Sequence, residues 1–113
     1  MRIIIAASKD YTDYVMVKRK MDALTKNLSK VIVISRDEKG GDKLGQQWAT
    51  EKLYLYVIHR AKKFSKHGNK ASSMRDDAVI QDGNVLVTFG KDKGIEELIE
   101  KAKEKGLKIR EYQ

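Results

Sequence analysis

Five short apolar runs alternate with stretches of helical period along this chain, and that alternation limits the fold more than any other feature. The runs are RIIIAA at 2–7, KVIVIS at 30–35, LYVIH at 55–59, NVLVTF at 84–89 and LKIRE at 107–111. They are rich in β-branched residues and too short for helices, so each reads as a buried strand. Between the first two, Val17, Met21, Leu24 and Leu28 recur at helical spacing, which predicts a helix over 14–28 capped by Thr12 or Asp13. Leu44, Gly45, Trp48, Ala49 and Lys52 share the face of a second helix, with Asp42 as its cap. Ala71, Met74 and Ala78 align on a third over 71–81, and Ile95, Leu98, Ile99 and Ala102 on a fourth. Buried strands alternating with helices imply an α/β chain with a parallel sheet covered on both faces. Right-handed crossovers then favour a Rossmann-like three-layer α/β/α arrangement, a parallel five-stranded sheet with the first strand central. With 113 residues and no linker, repeat or low-complexity segment, the chain is expected to form a single domain, 1–113.

In such sheets a ligand lies beyond the carboxyl ends of the strands, where the strand order reverses. Four loops are expected to meet there: ASKDYTD, SRDEKGGD, the basic segment 60–70 and GKDKG. Ser8 and Lys9 follow the first strand, where a helix N-terminus offers free N–H groups to an anion. Arg36 and Lys39 bring two cations to the second loop, and Gly40 and Gly41 permit close backbone approach. Asp37, Glu38 and Asp42 stand against them and could hold those cations in local ion pairs. As a loop residue, Arg36 is expected to carry little core packing. Lys91 and Gly94 occupy the fourth loop, GKDKG, which repeats the theme of two glycines, two lysines and an acid. None of these loops matches a Walker or dinucleotide fingerprint.

Charge points the same way. Twenty-four lysines and arginines face sixteen acids, a formal net charge of +8, which favours anionic partners: nucleotides, nucleic acid or an acidic protein. Arg60, Lys62, Lys63, Lys66 and Lys70 form a basic run without an acid, with Phe64 among them as a stacking surface for a base. This is the alternative function, a basic nucleic-acid- or protein-binding module; a solvated loop is the plainer explanation. His59 and His67 share no face and lack a third ligand, so no metal site is expected, and no cofactor. No serine has a recognisable elbow or base. Cysteine is absent, so no disulfide framework is possible. The first apolar run is too short for a signal or a membrane span, and a cytoplasmic protein without membrane association is expected. A homo-oligomer stays open.

Taken together, the loops resemble the SLOG superfamily, named for the DNA-processing protein Smf/DprA and the cytokinin-activating enzyme Lonely Guy. The branch is that of the small YspA or YpsA-related proteins of bacteria and phages. Its G-S-R-x-W-T-D is matched by Ala7-Ser8-Lys9-Asp10-Tyr11-Thr12-Asp13. Its H-G-G-A-R-G-A-D is matched by Ser35-Arg36-Asp37-Glu38-Lys39-Gly40-Gly41-Asp42, with Trp48-Ala49 at the expected spacing. Its H-G-x-x-A-G-x-x-R-N falls on His67 to Asp76, and its F-P-G-G-x-G-T on Phe89 to Ile95. The resemblance implies a nucleotide-derived ligand whose phosphate is cradled by backbone amides of the glycine loops. In two places this chain departs from it: Arg36-Asp37 and Lys91-Asp92 stand where the family has glycine pairs. Hydrolytic relatives use an arginine and a glutamate. Arg75, which is also expected among the ligand contacts, matches the first, but Leu98 stands at the second, with Glu97 one residue short. One residue turns a helical side chain by about 100°. The expectation is binding without turnover, with a phosphoribohydrolase-like enzyme using Arg75 and Glu97 as a further alternative.

Overall fold

The computed structural model describes residues 1–61 and 70–113. Its elements are β1 (Arg2–Ala7), α1 (Tyr14–Thr25), β2 (Ile32–Ser35), α2 (Asp42–Glu51), β3 (Leu55–Ile58), α3 (Ala71–Asp82), β4 (Val85–Phe89), α4 (Lys93–Lys105) and β5 (Lys108–Tyr112). The five strands form one parallel sheet in the order β3-β2-β1-β4-β5. This is the Rossmann-like arrangement, and the order reverses between β1 and β4.

Side chains alternate across β1 and so feed two cores. Ile3, Ile5 and Ala7 join Val17 and Met21 of α1 and Trp48 and Ala49 of α2. Ile4 and Ala6 join Val79 and Ile80 of α3 and Ile95, Leu98, Ile99 and Ala102 of α4. On the first face Gly45 brings α2 close to the sheet: a Cβ there would stand 2.7 Å from Ile5. Asp13 caps α1, accepting from the Met16 amide at 3.0 Å, and Gly106 closes α4 in the left-handed conformation.

Three sequence expectations need correction. The first helix ends at Thr25, and Leu28 packs from beyond its end. Of the expected α3 stripe Ala71 is buried, but Met74 and Ala78 are exposed. Met74 is 47% exposed, while Arg75, Asp76, Val79 and Ile80 turn inward. The residues of β3 are not buried: Leu55 is 74% exposed, because β3 is an edge strand. An apolar run does not distinguish an edge from a centre. Among the described residues no helix is long and apolar enough to cross a membrane.

Candidate ligand site at the strand ends

The sheet delivers three loops to the carboxyl ends of β1, β2 and β4, and they border a crevice of about 410 Å³. Lys9 comes from the β1 loop, Arg36 and Glu38 from the β2 loop, and Asp92 from the β4 loop. Ser72, Arg75 and Asp76 close it from α3, and Lys93, Gly94 and Glu97 from α4. It lies where the strand order reverses, the position expected of a ligand in this architecture.

Arg36 is the deepest cation. Its side chain is 2% exposed and pairs with Asp42, whose side chain is fully buried. Nε donates to Asp42 Oδ2 at 2.9 Å, and Nη2 donates to Asp42 Oδ1 at 3.3 Å and to the Ala7 carbonyl at 3.1 Å. The same carboxylate accepts from the amides of Ala7 at 2.8 Å and Glu38 at 3.1 Å. Asp42 is therefore not the cap of α2. Gly41 holds the N-cap position, and Asp42 turns inward to join β1, the β2 loop and α2. Burial pushes the Asp42 carboxyl upward, while Arg36 and the two amides oppose that shift. Arg36 consequently carries core packing, contrary to what its loop position suggests. Its remaining Nη1 has no hydrogen-bond partner among the described residues. It stands 3.3 Å from where a Cβ on Gly94 would lie.

Arg75 is also committed. It pairs with Asp76 at 2.9 Å and Glu38 at 3.3 Å, and its side chain is 4% exposed. Burial raises the Asp76 carboxyl, and Arg75 offsets it. Glu97 does reach the crevice despite its one-residue offset, whereas Leu98 is buried in the core that α3 and α4 form with the sheet.

The β4 loop holds the residue that the sequence undervalued. Asp92 is the N-cap of α4, and its Oδ1 accepts from the Ile95 amide at 2.8 Å. Its Oδ2 accepts from the Lys9 amide at 3.0 Å. Burial alone would raise this carboxyl, but the two amides, with Arg36 and Lys9 nearby, hold it below the usual aspartate range.

The other candidates fall differently. Gly40 and Gly41 face β1 rather than the crevice. Gly40 has φ +92°, and a Cβ on it would meet the Lys9 carbonyl at 2.1 Å; one on Gly41 would meet the Ser8 carbonyl at 2.3 Å. The pair lets two backbones touch. Ser8 is buried, its Oγ against Gly90. Lys39 and Lys91 are exposed and do not line the crevice, where Lys93 stands instead. Of the basic run, Arg60 pairs with Asp37 at 2.9 Å, Lys70 is exposed at the start of α3, and Lys62, Lys63 and Lys66 lie outside the described residues. Among the described residues no cluster of three metal-binding side chains occurs.

Sequence reasoning missed Glu38, Ser72, Asp76, Asp92 and Lys93 as lining residues. The acids were visible only as neighbours of cations, and Lys93 as the second lysine of GKDKG.

Comparison with known families matches residues 1–64 to the YspA, cpYpsA-related SLOG family. The chain belongs to that family. The match spans β1 to β3 with both of their helices, and so includes Lys9, Arg36 and Glu38. The motif resemblances at 67–76 and 89–95 lie beyond it. No curated protein and no solved structure matches the chain.

Proposed function

We infer that this SLOG protein binds a nucleotide-derived anionic ligand in the crevice at the carboxyl ends of β1, β2 and β4, without turning it over. The observation that carries this is Arg36 Nη1. A nearly buried guanidinium, held by Asp42 and the Ala7 carbonyl through Nε and Nη2, leaves Nη1 without a partner among the described residues, beside Gly94 in the lining of the crevice. Such a donor is pre-organised, so a ligand loses little to ordering it. Lys9 and Lys93 border the same space and add positive charge.

The crevice is not uniformly basic. Lys9, Arg36, Arg75 and Lys93 are matched by Glu38, Asp76, Asp92 and Glu97. That balance supports a ligand of few charges carrying its own hydrogen-bond donors, as a nucleotide does. Absence of turnover is supported by Arg75, whose guanidinium is engaged by Asp76 and Glu38. A thermal-shift screen of nucleotides, ADP-ribose derivatives and cyclic dinucleotides tests the reading. A ligand at 100-fold its dissociation constant stabilises by about 2.7 kcal/mol. A chain stabilised by none of them does not have this function.

One observation favours a second reading, hydrolysis of a nucleoside monophosphate: Arg75 and Glu97 line one crevice. Release of free base by the wild-type protein, abolished in Glu97→Gln, would establish it. Intact nucleotide recovered after prolonged incubation removes it.

A further inference from the structure

Gly94 marks a point where two groups of opposite character approach each other. A Cβ there would stand 3.3 Å from Arg36 Nη1 and 3.5 Å from Asp92 Oδ1. The two side chains form no ion pair with each other, so a space lies between a charged donor and a charged acceptor. The acceptor sits on the N-terminus of the 13-residue helix α4 and takes the amides of Ile95 and Lys9. Amides in that arrangement attract anions. Here a side-chain carboxylate already answers them.

We propose that Asp92 closes the N-terminus of α4 to phosphate and, with Arg36 Nη1, seats a ligand hydroxyl above Gly94. This rests on the crevice being the nucleotide site, and it specifies how that site reads its ligand. A hydroxyl accepts from the guanidinium and donates to the carboxylate, so both groups are satisfied. A phosphate oxygen accepts from Arg36 but meets Asp92 as a like charge. Gly94 leaves room for the group, since any larger residue would place its Cβ against both partners. The ligand is therefore a sugar-bearing compound that presents its ribose, not its phosphates, to α4. Its anionic group lies toward the side chain of Lys9, which borders the crevice from the β1 loop.

Isothermal titration of wild type and Asp92→Asn tests this with four probes: adenosine 5′-monophosphate, its 2′-deoxy and 3′-deoxy analogues, and inorganic pyrophosphate. Asparagine caps helices as well as aspartate does, so α4 is retained, and thermal unfolding of both proteins checks it. The replacement removes the negative charge from the seat. Wild type is expected to lose about tenfold or more in affinity for at least one deoxy analogue, the loss associated with a hydrogen bond to a charged group. Asp92→Asn keeps a neutral acceptor and is expected to weaken that discrimination and to gain about tenfold or more for pyrophosphate.

If both proteins bind the monophosphate but neither deoxy analogue is disfavoured, the hydroxyl seat is overturned and the nucleotide site stands. Pyrophosphate binding equal in the two proteins overturns the closure. A gain for pyrophosphate without binding of any adenosine monophosphate keeps the closure and overturns the hydroxyl seat. Silence from every probe overturns both the closure and the hydroxyl seat, and the nucleotide reading falls with them when the thermal-shift screen is also blank.

Discussion

Arg36 shows how one side chain ties the loops to the sheet. Its ion pair with Asp42 is fully buried and completed by the Ala7 and Glu38 amides, so both charges are satisfied. Arg36→Met leaves that carboxylate unpaired and is expected to cost about 3–5 kcal/mol in urea denaturation. Adding Asp42→Asn neutralises the stranded charge while keeping an acceptor for the Ala7 amide, and should restore about half or more of the loss. If the single substitution is neutral, the pair does not hold the loop. Thr88 is the reverse case. Its Oγ1 is buried without a hydrogen-bond partner among the described residues. Thr88→Val keeps the shape and removes the unpaired group, so thermal unfolding should show unchanged or raised stability, by up to about 1 kcal/mol. A clear loss would mean that the hydroxyl has a partner. Arginine and lysine in a glycine-bearing loop suggest an anion, and on that ground the sequence singles out Lys9 and Arg36, but also Lys39 and Lys91, which stay outside the crevice, while it passes over Lys93. The partners were not legible, because Asp42 stands where a helix cap belongs and gives no sign of turning inward.

At the level of elements, strands and helices were legible from period and composition, and their faces less so. In α3 the inward stripe runs from Ala71 through Arg75 and Asp76 to Val79 and Ile80, so hydrophobic periodicity found Ala71 but selected the exposed Met74 and Ala78 after it. A charged pair that satisfies itself can occupy a buried face, and apolar spacing does not register it. For α4 the period was right, since Ile95, Leu98, Ile99 and Ala102 are all buried. Its start depends on Asp92, and Asp92→Ala is expected to cost about 1 kcal/mol near neutral pH. The folded protein holds this carboxyl below its ordinary value of 3.8. Its stabilisation is therefore present above that value and lost as pH falls through the lower, folded-state value. The stability difference between wild type and Asp92→Ala should accordingly shrink under acid. A difference that stays constant from neutral pH to about pH 2 would show that the cap does not depend on the carboxylate charge.

Across the whole molecule, the crevice is an outcome of topology. The strand order sets β1 between β2 and β4, so loops distant in sequence meet: the Lys9 amide reaches Asp92 across 83 positions. The family match over residues 1–64 covers one side of this meeting, and α3, β4 and α4 supply the other. A net charge of +8 does not locate a site, because the crevice itself balances four cations with four acids. The most direct test follows backbone amides by nuclear magnetic resonance during titration with adenosine 5′-monophosphate. Shifts are expected to saturate at Lys9, Ser72, Gly94 and Glu97, which border the crevice on three sides. Residues around Met1, Asn27 and Asn84, which line a separate hollow, should stay unmoved. Saturating shifts at that second hollow with none at Lys9 and Gly94, or no shifts at millimolar nucleotide, would contradict a nucleotide site at the strand ends.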